Sequence, residues 1–319
     1  MNKALEEYLT KHDRLLLPTS PEECISLLVN ELGHGSYYFR GVSNSQYELL
    51  SSLDRVVSIT GHYIFGNGIS NRPFREQYFF REFKKVAHNY LPSGSMPKSI
   101  LSWLALMQHF GIPTRLIDVT RSPFVALYFA VNDWRDAHDG AVWAISPHKI
   151  HENTFHRLSS LKFPFALTDS NYNFSQMPDF LKDAYFREAF MTDKYPILSI
   201  LGPEQMNPRI NAQQGAFLVR GQSSTSTEQT LVDLIHDQSH LDPREREMLK
   251  RNKIDMTVRR IIVPQKFKKK ILIQLHRMNI HAGTLFPGLE GASIAIRERG
   301  TVEEWESHMQ SVEALSGDA

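Results

Sequence analysis

Two segments with almost no polar face lie close together in this chain. Ile100, Leu101, Trp103, Leu104, Leu106 and Met107 surround the first at helical spacing. Phe124, Val125, Ala126, Leu127, Tyr128, Phe129 and Ala130 fill the second. A helix apolar on every side has to be enclosed by other elements, so the fold must be layered, with these two helices inside. The connection between them is the opposite in character. From Gln108 to Thr120 it carries Gln108, His109, Thr114, Arg115, Asp118 and Thr120. Polar groups drawn into such company are costly unless they pair with one another or with a ligand.

The rest of the chain supplies strands and capped helices. Ser20, Pro21 and Glu23 form a helix start, which predicts a helix to about Leu32. Tyr37, Tyr38, Phe39, Arg40 and Gly41 suit a strand on which Tyr38 and Arg40 share one face. Further strands are expected over Thr114–Val119, Gly140–Ile145, Tyr195–Ile200, Gly215–Val219 and Val258–Val263. Helices are expected over Pro73–Asn89, Pro97–Phe110, Asp242 onward, Lys266–Met278 and Val302–Met309, with a loop at Ile59–Arg72. The stretch Ile150–Lys194 reads as helical and irregular. Strands and helices mix without strict alternation, so the class is α+β.

Lysine and arginine number 36 against 35 aspartates and glutamates, a net charge of +1. Contact with nucleic acid would therefore come from a local groove rather than a global field. The basic run Lys266, Lys268, Lys269 and Lys270 reads as a solvated helix face. The single cysteine, Cys24, lies among Ile25, Leu27 and Leu28 and suits a small buried hydrophobe. A charged N-terminus and no apolar run near the roughly 20 residues that span a bilayer point to a cytoplasmic protein without a membrane segment.

Four segments could carry chemistry. Within Gln108–Thr120, Arg115 and Asp118 are either functional or a buried ion pair, and His109 is either a site residue or a satisfied core histidine. Arg40 could hold a phosphate or carboxylate with its planar fork, or reach a structural carboxylate such as Asp54 or Glu82. Gly41 permits close approach by a ligand or by another backbone. In Asn207–Phe217, Arg209 and the amides lead into a strand that would place Gln213, Gly215 and Phe217 on one face. Leu285–Gly291 reads as a turn docking apolar residues on the core. Dinucleotide, P-loop, zinc and serine-hydrolase motifs are missing, and no metal site is expected.

Together and in this order, these segments resemble the FRG-domain family. The aromatic-Arg-Gly element is Phe39, Arg40 and Gly41, and the long middle signature runs from Gln108 to Thr120. The apolar helix after Pro123, the strand Ala141–Trp143, the Arg209…Gln213-x-Gly215-x-Phe217 pattern and Leu285–Pro287 also fit. One departure is Leu50 before Ser51–Arg55, where the family usually has proline. The resemblance spans residues 20–292, leaving an N-terminal helical extension (1–19) and a C-terminal helix and tail (293–319).

The resemblance implies a central mixed or antiparallel split sheet surrounded by helices, as in ADP-ribosyltransferases. It implies NAD⁺ as substrate, a nucleic acid or protein as acceptor, and a role as a toxin or in phage defence. On that reading Arg40, His109, Arg115, Asp118 and Gln213 are the catalytic candidates. Tyr38, Arg40, Gly41, Thr114, Thr120 and Arg209 are the candidates for holding the nucleotide. The late-strand position that should carry a carboxylate carries Gln213, so Asp118, Glu76 or Glu82 would have to supply it. Two other readings are a nucleotide- or phosphate-binding module without turnover, and a hydrolase or nuclease with His109 and Asp118 as an acid–base pair.

Overall fold

The computed structural model describes residues 2–32, 37–59, 72–92, 94–165, 179–203, 207–237, 244 and 258–300. The helices expected after Asp242 and over Val302–Met309, and all but the ends of the Ile59–Arg72 loop, lie outside the described residues.

Serine caps open several of the helices, and the one expected from Pro97 begins three residues later, at Ile100. Ser20 accepts the Glu23 N–H to open α2 (Pro21–Ser26), which runs into a π-helical turn at Leu27–Glu31. Ser99 caps α5 (Ile100–His109), and Ser122 with Pro123 caps α6 (Pro123–Val131). Before α2 come α1 (Lys3–Lys11) and β1 (Leu15–Leu16), and after it β2 (Tyr38–Val42), α3 (Ser52–Ile59) and α4 (Arg72–Ala87). Between α5 and α6 lies β3 (Ile117–Thr120), shorter than expected because Thr114 and Arg115 are engaged by side chains from elsewhere. β4 (Gly140–Ile145), α7 (Pro147–Ser160), α8 (Asp179–Phe186), β5 (Leu198–Leu201), α9 (Pro208–Ala212), β6 (Gly215–Arg220), α10 (Thr227–His236), β7 (Val258–Val263), α11 (Gln265–Arg277) and α12 (Ala282–Leu285) follow. Residues 289–300 are again helical.

Among the described residues, seven strands form one open mixed sheet in the order β1-β7-β4-β2-β3-β6-β5. Only the β1–β7 pairing is parallel. Alternation along the strands divides the core between the two faces. Phe39, Val142, Ala144 and Ile261 pack under α6 and α11, and beside them Phe217 and Val219 pack under α5 and Phe186. Trp143, Ile145, Ile117, Val119 and Leu218 face the other way, against Leu5 and Leu9 of α1 and Leu231 of α10. Both apolar helices are therefore inside, as their composition demands. Cys24 is fully buried in the first cluster, and burial pushes its thiol up to about 12.

The seam between β2 and β3 is the weak line of the sheet. β2 pairs with β4 over five registers, but with β3 only at Phe39↔Thr120. Beyond that bridge the two central strands part. On one face β2 carries α6 directly: a Cβ on Gly41 would lie 1.7 Å from the Ala126 carbonyl oxygen. Gly41 thus serves helix–strand contact. The expected solvated face at Lys266–Lys270 needs correction, because Lys268 is fully buried and donates to the Ser43 carbonyl at 2.6 Å. Among the described residues no helix is long and apolar enough to cross a membrane.

Candidate functional site

A cleft enclosing about 730 Å³ of space, part of it continuous with solvent, opens where β2 and β3 separate. Arg40 and Gly41 come from β2, Asp118 and Thr120 from β3, Arg209 from α9, and Gln213 from the end of α9. Phe39, Val125, Phe129, Ile210 and Phe217 give the cleft its apolar wall. Six of the expected site residues, spread over more than half the chain, are brought together here.

Arg40 sits half-buried at the parting of the strands. Its Nη1 donates to the Asp118 carbonyl at 2.7 Å, and its buried Nε has no hydrogen-bond partner. Burial pushes its pKa down, Asp118 counters, and the like charge of Arg55 adds to the fall. An arginine stays charged under such pressure, so the guanidinium offers unused donors to an anion. It does not reach Asp54, which pairs with Arg220 at 2.8 Å, or Glu82, which lies with Arg81 and Lys85.

Asp118 is exposed in the cleft and is its only carboxylate among the described residues. Its Oδ1 accepts from Gln108 Nε2 at 2.6 Å, and Gln108 Oε1 in turn accepts from the Thr114 hydroxyl at 2.5 Å. A carboxylate can only accept, so the amide turns its NH₂ toward Asp118 and its carbonyl toward Thr114, whose hydroxyl donates to it while its oxygen accepts the Leu116 N–H. Asp118 Oδ2 has no hydrogen-bond partner among the described residues.

The opposite wall is braced from α12. Gln213 Nε2 donates to the Leu285 carbonyl at 3.0 Å, and the Gln213 backbone carbonyl accepts from the Thr120 hydroxyl at 2.5 Å. Arg209 lies 4.7 Å above the Phe286 ring, which packs edge-on against Phe129. Leu285 is buried and Phe286 packs against the core, as expected of that turn. Gln213 is not on a strand with Gly215 and Phe217, however. Asn207 and Pro208 open α9, Gln213 caps it, and Gln214 turns the chain at φ 48° before β6 begins.

The remaining candidates lie outside the cleft lining. Arg115 is buried with a different partner from the one considered: its Nε meets Glu76 Oε2 at 2.5 Å, and its N–H donates to Glu76 Oε1 at 2.8 Å. Thr114 is buried and braces Ser52 of α3 as well as Gln108. Tyr38 OH accepts from Arg121. His109 is exposed at the end of α5, beside Phe110, so it is not a core histidine. No hydrogen bond joins it to Asp118 among the described residues. Of the three carboxylates considered, Glu76 is bound to Arg115 and Glu82 is on the surface, which leaves Asp118 in the cleft. The residue sequence reasoning passed over is Gln108. Its signal was a polar side chain in the last turn of an otherwise apolar helix, a few residues from an acid.

Residues 35–139 match the family model of the FRG domain. The matched segment holds Arg40, Gln108 and Asp118, whereas Arg209 and Gln213 lie beyond it. No curated protein and no solved structure matches the chain.

Proposed function

The chain is an FRG-domain protein, and from that premise we propose that its cleft takes NAD⁺ and transfers the ADP-ribose to a nucleic acid or protein. One observation carries the reading: a single cleft presents the guanidiniums of Arg40 and Arg209 and the carboxylate of Asp118, whose Oδ2 has no partner among the described residues, beside an aromatic wall. Guanidiniums suit a diphosphate. Phe129 and Phe217 suit a ring. In the transfer, the bond between nicotinamide nitrogen and ribose C1′ breaks and nicotinamide leaves with the electron pair. A carboxylate such as Asp118 favours that departure by opposing the positive charge that develops on the ribose. The acceptor nucleophile then bonds to C1′ and gives up its proton.

The competing reading, a nucleotide-binding module without turnover, is favoured by Gln213: an amide stands where a carboxylate was expected, and its NH₂ is bound to Leu285. Labelled NAD⁺ separates the two. Thermal stabilisation by NAD⁺ together with nicotinamide release, both lost in Arg40→Ala, supports transfer. Stabilisation without release supports the binding module. Neither effect, in wild type or variant, removes NAD⁺ from the account.

A further inference from the structure

We infer that Gln108 is the positioning residue of the cleft: through the chain Thr114–Gln108–Asp118 it fixes which carboxylate oxygen faces the ligand. The inference rests on the transfer reading for its kinetic consequence, although the hydrogen-bond relay can be measured without turnover. Three features of the geometry carry it. The relay bonds are short, 2.5 Å from Thr114 to Gln108 and 2.6 Å from Gln108 to Asp118. Its direction is set by the carboxylate, which only accepts and so turns the amide carbonyl to the Thr114 hydroxyl, and Thr114 is fully buried and also tied to the Leu116 N–H. Asp118 is also held at its carbonyl by Arg40. With the backbone clamped on one side and Oδ1 on the other, Oδ2 is the oxygen left for the ribose.

α5 has a reason to end as it does. Its apolar turns bury Leu104 and Met107 and so fix where Gln108 emerges, next to the gap between β2 and β3. Gln108 therefore couples the interior of the molecule to Asp118 in the cleft. A glutamine suits this task better than a glutamate or lysine. Its NH₂ donates without adding charge beside Asp118, and its carbonyl accepts from Thr114.

The test compares Gln108→Glu, Gln108→Leu and Thr114→Val with wild type. Gln108→Glu places a second carboxylate against Asp118. Two acids at hydrogen-bond distance cannot both ionise freely, so the acidic limb of the kcat/KM profile for nicotinamide release should move up by about one pH unit or more. Gln108→Leu leaves Asp118 ionised but unaimed. It should lower kcat roughly 10- to 100-fold with KM for NAD⁺ held, and Thr114→Val should move in the same direction by less. A merely structural role would lower melting temperatures and leave both the pH limb and kcat per folded molecule unchanged, which overturns the proposal. If wild type releases no nicotinamide, the transfer reading fails separately. The carboxyl ¹³C titration of Asp118 still decides the relay: a midpoint moved upward in Gln108→Glu supports it, and one superimposed on wild type rejects it. Should Gln108→Glu not fold, the same titration in Thr114→Val decides.

Discussion

Arg115 carries the sharpest prediction, because it lies outside the cleft lining and pairs with Glu76 in the interior. Its side chain is 9% exposed, that of Glu76 is 0% exposed, and both Glu76 oxygens are engaged, one by Arg115 Nε and one by the Arg115 backbone N–H. Glu76→Ala would leave a guanidinium inside the protein with its charge unanswered. Breaking a buried pair from one side costs about 3–5 kcal/mol, whereas replacing both partners by apolar residues is often near neutral. The lost acceptor for the backbone N–H puts the single variant toward the upper end of that range. The double variant Glu76→Leu/Arg115→Met should recover most of the loss. Urea titration of the three proteins gives the free energies, and NAD⁺ titration of the double variant should return the wild-type affinity, since neither residue lines the cleft. A single-variant cost below about 1 kcal/mol, or a double variant less stable than Glu76→Ala, would refute the buried-pair account. Weakened ligand binding in a stable double variant would return Arg115 to the site.

Three further outcomes follow from packing and charge. Gly41→Ala should destabilise by about 3 kcal/mol in urea titration, because its Cβ meets α6 backbone at 1.7 Å rather than a side chain that can swing away. Cys24 should stay unreactive to a thiol reagent at pH 8 until the protein unfolds, being fully buried with its thiol pushed up to about 12. Acid should loosen helix 289–300. Burial opposes the charge of Glu298, but hydrogen bonds from His276, Tyr128 and the Ala282 N–H outweigh it and hold it below the usual carboxylate range. Burial, then His276, holds His281 below its usual value. A depressed histidine loses its contribution as pH falls from about 6.5 toward its folded value, and a depressed carboxylate as pH falls from about 4.3 through its own. Hydrogen-exchange protection in the helix should therefore decline below about pH 6.5, with the carboxylate step missing in Glu298→Gln. Protection unchanged from pH 7 to 4 would count against it.

What the sequence revealed was local. Ser20, Pro21 and Glu23 announce α2, and the composition of α5 and α6 forces them inside, because a cap or an apolar surround is complete within one stretch of chain. What escaped depends on partners far away. Glu76 claims Arg115 from a helix 39 residues earlier, and Ser43 draws Lys268 inward across 225 residues. Strand β1 is two residues long and exists only because β7 runs beside it. The start of α9 was readable and was missed: Asn207 followed by Pro208 is a helix start, yet Gly215 and Phe217 beyond it suggested a strand reaching back to Gln213. In the cleft, Arg40 and Asp118 stood out as charges among apolar neighbours, and Arg209 as an arginine among amides. Gln108 did not, because an uncharged amide gains meaning only from Thr114 on one side and Asp118 on the other.

Nicotinamide release by Asp118→Asn bears most directly on the cleft as a site of chemistry. The substitution keeps the shape of the side chain and removes its charge. With the transfer account correct, NAD⁺ affinity stays within a few-fold of wild type while release falls by about 100-fold or more. Release at the wild-type rate from a folded Asp118→Asn protein would contradict it.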